Sequence, residues 1–258
     1  MMDATALQHA LTQQLQHIAR TRLCLRLERG EHSFDTPGSG FGGRPWWPTG
    51  EAWPVCDSCG DPLAFVCQMR LDGGGHWRPG VYDLCLVFCC WACQEREHAS
   101  LIERPGGDSC RLRLFRLRDQ PLAPLEPPAV LPAQARLPAF RALGTPMLDV
   151  PAWQDVADEL TAIAPHALDD LHVGYHLAEL EVVRRQEQAA QSQLGGYPHW
   201  LGASYWPECR WCGGQMYLLA QFVAGDGPTL PWGTARRAYL FCCAEPCDAE
   251  ALTLILQA

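Results

Sequence analysis

Apolar residues between Ala4 and Arg20 fall on one helical stripe, made of Leu7, Leu11, Leu15 and Ile18, which predicts an amphipathic helix there. Further along, the period shortens. Leu63–Leu71 and Val81–Cys90 read as strands, with the glycine run Gly73-Gly74-Gly75 between them, the pattern of an antiparallel pair. Met216–Val223 and Ala235–Cys243 form a second pair of the same kind. Cys110–Arg118 also alternates, but its phase slips at Phe115, which predicts a bulge or a strand exposed at a sheet edge. The six prolines of residues 121–138 predict an extended linker. Two helices are expected after it. One runs from about Ala152 to Ala164, with Trp153, Val156, Leu160 and Ile163 on one face and Pro165 ending it. The other runs from about Tyr175 to Gln193 and stops at Gly195-Gly196.

The two strand pairs belong to an internal repeat. Sliding the chain by 153 residues aligns Gly42–Cys90 with Gly195–Cys243 without a gap, and 15 of the 49 positions are identical. The matches include Gly42-Gly43, Pro45, Trp47, Trp53-Pro54, Cys56, Cys59, Gly60, Gln68 and Phe88-Cys89-Cys90, each with its counterpart 153 residues on. Each unit opens on a Gly-Gly-x-Pro turn, passes through an aromatic loop to a Cys-x-x-Cys-Gly knuckle, and ends its second strand in a cysteine pair. In an antiparallel pair, knuckle and strand end meet at the same edge. The expected fold class is therefore α+β, with two tandem pseudo-symmetric β-rich units plus N-terminal and intervening helices. The corresponding boundaries are 1–120 for the first helix and unit, 121–193 for the linker and acidic helices, and 194–258 for the second unit.

The chain has 258 residues, of which 48% are apolar and 19% charged, enough to bury a sizeable core. No apolar run approaches the ~18 residues of a membrane span, and Met1–Leu23 lacks the basic and apolar regions of a secretory leader. Both features predict a cytoplasmic protein with no membrane partner. In a reducing compartment, clustered cysteines are read as metal ligands or redox groups before disulfides. The expected Zn²⁺ sites are Cys56, Cys59, Cys90 and Cys93, and Cys209, Cys212, Cys243 and Cys247. Strand alternation favours Cys90 over Cys89, because Leu84, Leu86, Phe88 and Cys90 share a face. The competing reading is eight buried cysteines without a metal. Neither Cys-x-x-Cys has the βαβ context of a redox motif.

The net charge of −9 argues against nucleic acid and leaves a basic protein partner open. Residues 149–187 carry nine acids against two arginines. Asp155, Asp158, Glu159, Asp169 and Asp170 there, and Trp46, Trp47, Trp53, Trp200 and Trp206 in the knuckle loops, are candidate partner-binding residues; the plainer readings are solvated helix faces and core packing. Arg111, Arg113, Arg116 and Arg118 form a candidate anion site, or else a solvated edge strand. His172 and His176, four residues apart, could ligate a metal on a helix, or be plain exposed histidines. No phosphate loop and no nucleophile elbow is present, and a closed Cys₄ zinc activates no water, so an enzyme is not expected.

The segments GGRPWWP, CDSCGDPLAFVCQ, LVFCCWAC and LFRLRDQPL, and in the second unit GGYPHWL, ECRWCGGQMYLLAQ and PWGTARRAYLFCCAEPC, resemble the family that joins bacterial YwqG-like proteins with programmed cell death protein 2. That resemblance implies a binding role, either shielding a basic client such as a ribosomal protein or acting as an immunity protein against a toxin. The expectation is thus a non-enzymatic, zinc-stabilised protein-binding protein of toxin-immunity or dedicated-chaperone type. The alternatives are a hydrolase with a pocket near the Gly-Gly-x-Pro loops, holding His32, His76 or His98 with carboxylates, and a ribosome-biogenesis or RNA-associated factor.

Overall fold

A β-strand buried on one face only must find a partner layer, whereas a strand buried on both faces belongs inside a covered sheet. Most strands of this chain are of the second kind. The structure, a computed structural model, describes residues 4–31, 35–71, 82–93, 109–163, 168–183, 191–225, 227–230, 237–245 and 247–257. Its strands are β1 (Arg20–Arg29), β2 (Gly40–Phe41), β3 (Trp46–Pro48), β4 (Ala64–Arg70), β5 (Leu84–Cys89), β6 (Cys110–Phe115), β7 (Leu122–Pro124), β8 (Phe140–Asp149), β9 (Gln193–Gly195), β10 (Met216–Val223), β11 (Arg237–Cys243) and β12 (Leu252–Gln257). The helices are α1 (Ala4–Ile18), α2 (Trp153–Ile163) and α3 (Leu168–Val182).

Ten strands make one antiparallel sheet in the order β12-β11-β10-β9-β1-β8-β2-β4-β5-β6. Its two ends approach each other, and the Leu114 N–H of β6 donates to the Ala249 carbonyl, just before β12, at 2.8 Å. The sheet is therefore nearly closed, like a barrel. The expected α+β class with two tandem units is overturned: the chain is β-rich, and the repeats are halves of one sheet. The reason lies in β1 and β8. β1 pairs with β9 of the second repeat, β8 pairs with β2 of the first, and β1 and β8 pair with each other over their whole length. Neither repeat has a complete sheet of its own.

One face of the sheet holds a core drawn from both halves, with Val66, Cys67, Cys85 and Val87 beside Leu219, Phe222, Leu240 and Leu254. Phe41 and Phe222 meet edge to face across the repeat boundary, their ring centroids 5.3 Å apart. The other face carries separate aromatic clusters, one under each knuckle. The helices pack together through Leu11, Leu15, Leu160, Leu171 and Tyr175. Helix α3 begins and ends earlier than its periodicity suggests, and residues 184–190 lie outside the described part of the chain. The proline-rich segment is no free tether. β7 pairs with β3, and Leu131 and Ala135 pack against Ala64.

Candidate metal centres

Each knuckle is a tight loop held by the same bonds. In the first, the Cys56 N–H donates to the Asp61 carbonyl and the Gly60 N–H to the Cys56 carbonyl, both at 2.8 Å. In the second, Cys209 N–H donates to Gly214 O at 2.8 Å and Gly213 N–H to Cys209 O at 2.7 Å. The knuckle glycine takes φ of +78° in Gly60 and +69° in Gly213, a conformation that a side chain would strain. The repeat preserves buried polar contacts too. The Gln68 side-chain oxygen accepts from Trp46 N–H, and that of Gln221 accepts from His199 N–H.

Strand alternation then brings the second cysteine pair to each knuckle. Cys56, Cys59, Cys90 and Cys93 converge, as do Cys209, Cys212, Cys243 and Cys247, with all four sulfurs of each group within 4.8 Å of one another. The sulfurs lie 3.8 Å apart for Cys56–Cys93, 3.5 Å for Cys59–Cys90, 3.6 Å for Cys209–Cys247 and 3.5 Å for Cys212–Cys243. A tetrahedron with metal–sulfur bonds of ~2.3 Å has sulfur–sulfur edges of about 3.8 Å, so both groups are positioned to bind a metal ion. Cys89 and Cys242 point to the opposite face, into the shared core.

The thiols within a group differ. Burial pushes Cys209 up, but the N–H groups of Cys212 and Trp211 and the neighbouring thiols more than offset this and bring it down to about 7. Cys56 is lowered against the same burial by the N–H groups of Cys59 and Ser58. Burial keeps Cys90 and Cys243 above the ordinary thiol range. The thiol held low in each group, Cys56 or Cys209, is the one that most readily gives up its proton to a soft divalent cation.

Two features escaped the residue pattern. Cys89 and Cys110, opposite each other in the β5–β6 register, form a disulfide, which a reading of clustered cysteines as metal ligands does not anticipate. Their pairing depends on a register that spacing does not reveal. The second is a buried ionic group. Asp149 accepts from Tyr197 N–H at 2.7 Å and lies 3.9 Å from the Arg22 guanidinium, which also donates to Gln193 at 2.8 Å.

The candidate partner-binding residues are distributed differently from the expectation. Trp47 is 3% exposed, so it serves the core and faces no partner. Trp46 and Trp53 pack partly buried on the first knuckle cluster, and Trp200 and Trp206 on the second. Asp155 is engaged inside the molecule, its carboxylate accepting both the Trp200 and the Trp206 indole N–H. The side chains of Asp158, Glu159, Asp169 and Asp170 lie outside the described residues, as do His32, His76 and His98. The edge-strand arginines are spent locally. Arg111 pairs with Asp57, Arg113 with Glu51, and Arg116 and Arg118 with Asp119.

A cleft does lie beside each Gly-Gly turn, at equivalent places in the two halves. Gly43, Arg44 and Phe65 line one of about 420 Å³, and Gly196, Tyr197 and Leu218 line one of about 410 Å³. The polar side chains described in the first are Glu31, Arg44, Glu126 and Arg136, with no serine, cysteine or histidine among them. In the second, Arg20 lies over the Tyr197 ring at 4.4 Å. Among the described residues, no helix is long and apolar enough to cross a membrane. No protein-family model and no curated protein matches the chain.

Proposed function

We propose that the chain is a non-enzymatic cytoplasmic binding protein, stabilised by two structural zinc ions, that shields a basic partner polypeptide in the manner of a toxin-immunity protein or a dedicated chaperone. Zinc is the cation that a closed set of four thiolates suits best, and a closed set leaves no position for water activation. The observation that carries the binding role is on α3. Val173, Leu177 and Leu180 are exposed by 59%, 47% and 47%, at the i, i+4, i+7 spacing of one helical face. They stand in the segment 149–187, whose net charge is −7 from nine acids and two arginines. An apolar stripe on a helix that also carries Glu179 and Glu181, in an acid-rich stretch of sequence, fits an apolar partner segment flanked by Arg or Lys. The resemblance to the YwqG-like and programmed-cell-death-protein-2 pattern supports the same role.

The test is affinity purification from the native host, at low and high salt, with the wild type and with Val173→Asp/Leu177→Asp. The expected result is one basic polypeptide in stoichiometric amount, held less firmly at high salt and lost with the double variant. Absence of a stoichiometric polypeptide at either salt, or equal capture by the variant, refutes the proposal.

A further inference from the structure

The exposed face of α3 carries a second arrangement, chemically distinct from the cysteine groups and independent of the binding role. His172 and His176 are both exposed, one helical turn apart, and their Nε2 atoms are 3.1 Å from each other. The other ring nitrogen of His176, Nδ1, lies 3.1 Å from Glu179 Oε2. A carboxylate at Nδ1 fixes the tautomer that carries its proton there, which leaves the Nε2 lone pair of His176 on the side of His172 Nε2, where a cation would replace the proton shared between the two rings. The His172 ring also packs against the Trp153 ring in a T-shaped contact, with ring centroids 5.1 Å apart.

We propose that His172 and His176 form a bidentate imidazole site for a divalent transition cation, with Glu179 as the carboxylate that orients His176. The geometry supports it through a simple triangle. Two nitrogens 3.1 Å apart, each bonded at ~2.05 Å, subtend roughly 100° at the metal, between the cis angles of octahedral and tetrahedral coordination. Imidazole nitrogen suits Cu²⁺, Ni²⁺ and Zn²⁺, and the remaining positions stay open to water, unlike those of a closed Cys₄ set. The pair needs no backbone movement to chelate, because the helix already places i and i+4 on one face.

Ni²⁺ is the probe, titrated calorimetrically into the full chain with both cysteine groups loaded with zinc, and with bound zinc measured before and after. The wild type takes up one saturable equivalent. His172→Ala and His176→Ala each remove it, and Glu179→Gln weakens it about tenfold, the usual effect of losing an orienting carboxylate. His9→Ala/His17→Ala, which alters two other histidines of the chain, leaves it unchanged. Circular dichroism identical to wild type shows that each variant folds, as expected for exposed side chains. Failure of the wild type to bind, or binding by His172→Ala or His176→Ala equal to that of the wild type, overturns the proposal. Neither result touches the polypeptide-binding role, which is read by capture with Val173 and Leu177 altered.

Discussion

Arg22 and Asp149 have side chains only 2% and 1% exposed, and their charges face each other at 3.9 Å. Removing one such partner leaves an uncompensated charge in the interior, which typically destabilises by about 3–5 kcal/mol. Asp149→Asn keeps an acceptor for Tyr197 N–H but loses the charge, so a loss of that size is expected in denaturant unfolding. Arg22→Met/Asp149→Asn should recover part of it, because removing both charges removes the desolvation penalty, while the buried Gln193 oxygen and His199 Nε2 lose the Arg22 guanidinium. A single variant as stable as wild type would contradict this. Nothing in the sequence announces the pair. The two residues are 127 positions apart (149 − 22), and only the β1–β8 pairing brings them together. The knuckle cysteines were legible for the opposite reason: each pair is local, and Gly60 and Gly213 mark the turn that closes it.

Among the elements, the repeated turns and strands were readable because their positions are fixed by geometry that few residues satisfy. Gly42 illustrates this. Its φ is +57°, and a Cβ there would run into the backbone carbonyls of Leu137 and Pro138. Gly50 has φ of +89° with open space around the Cβ direction. Gly42→Ala should therefore destabilise by more than about 1 kcal/mol, and by more than Gly50→Ala, as read by thermal melting. Equal losses would show that the close approach does not matter. Besides the two- and three-residue strands β2, β3, β7 and β9, the strands that the pattern left unread are β1, β8 and β12. β8 contains Gly144 and Pro146, which argue against a strand, yet beyond Phe140 and Arg141 it pairs only with β1 and tolerates a missing N–H on its open side. β12 has almost every residue buried, so it offers no alternation to read. The disulfide of Cys89 and Cys110 was hidden for a related reason, since it needs the register of β5 on β6.

At the scale of the whole molecule, the repeat was visible but its assembly was not. Two copies of a motif suggest two units, whereas the exchange of β1 and β8 between halves makes one sheet whose ends meet at Leu114 and Ala249. Such a sheet should unfold in one cooperative transition, with fluorescence and circular dichroism coincident. Two separated transitions would mean that the halves are stable alone. The cysteine groups sit one in each half, outside the shared core, so each should hold its own ion. The most direct measurement is metal content by elemental analysis of protein purified without added chelator or metal. The account predicts about two zinc ions per chain from its two four-thiolate groups; fewer than one zinc ion per chain would contradict it.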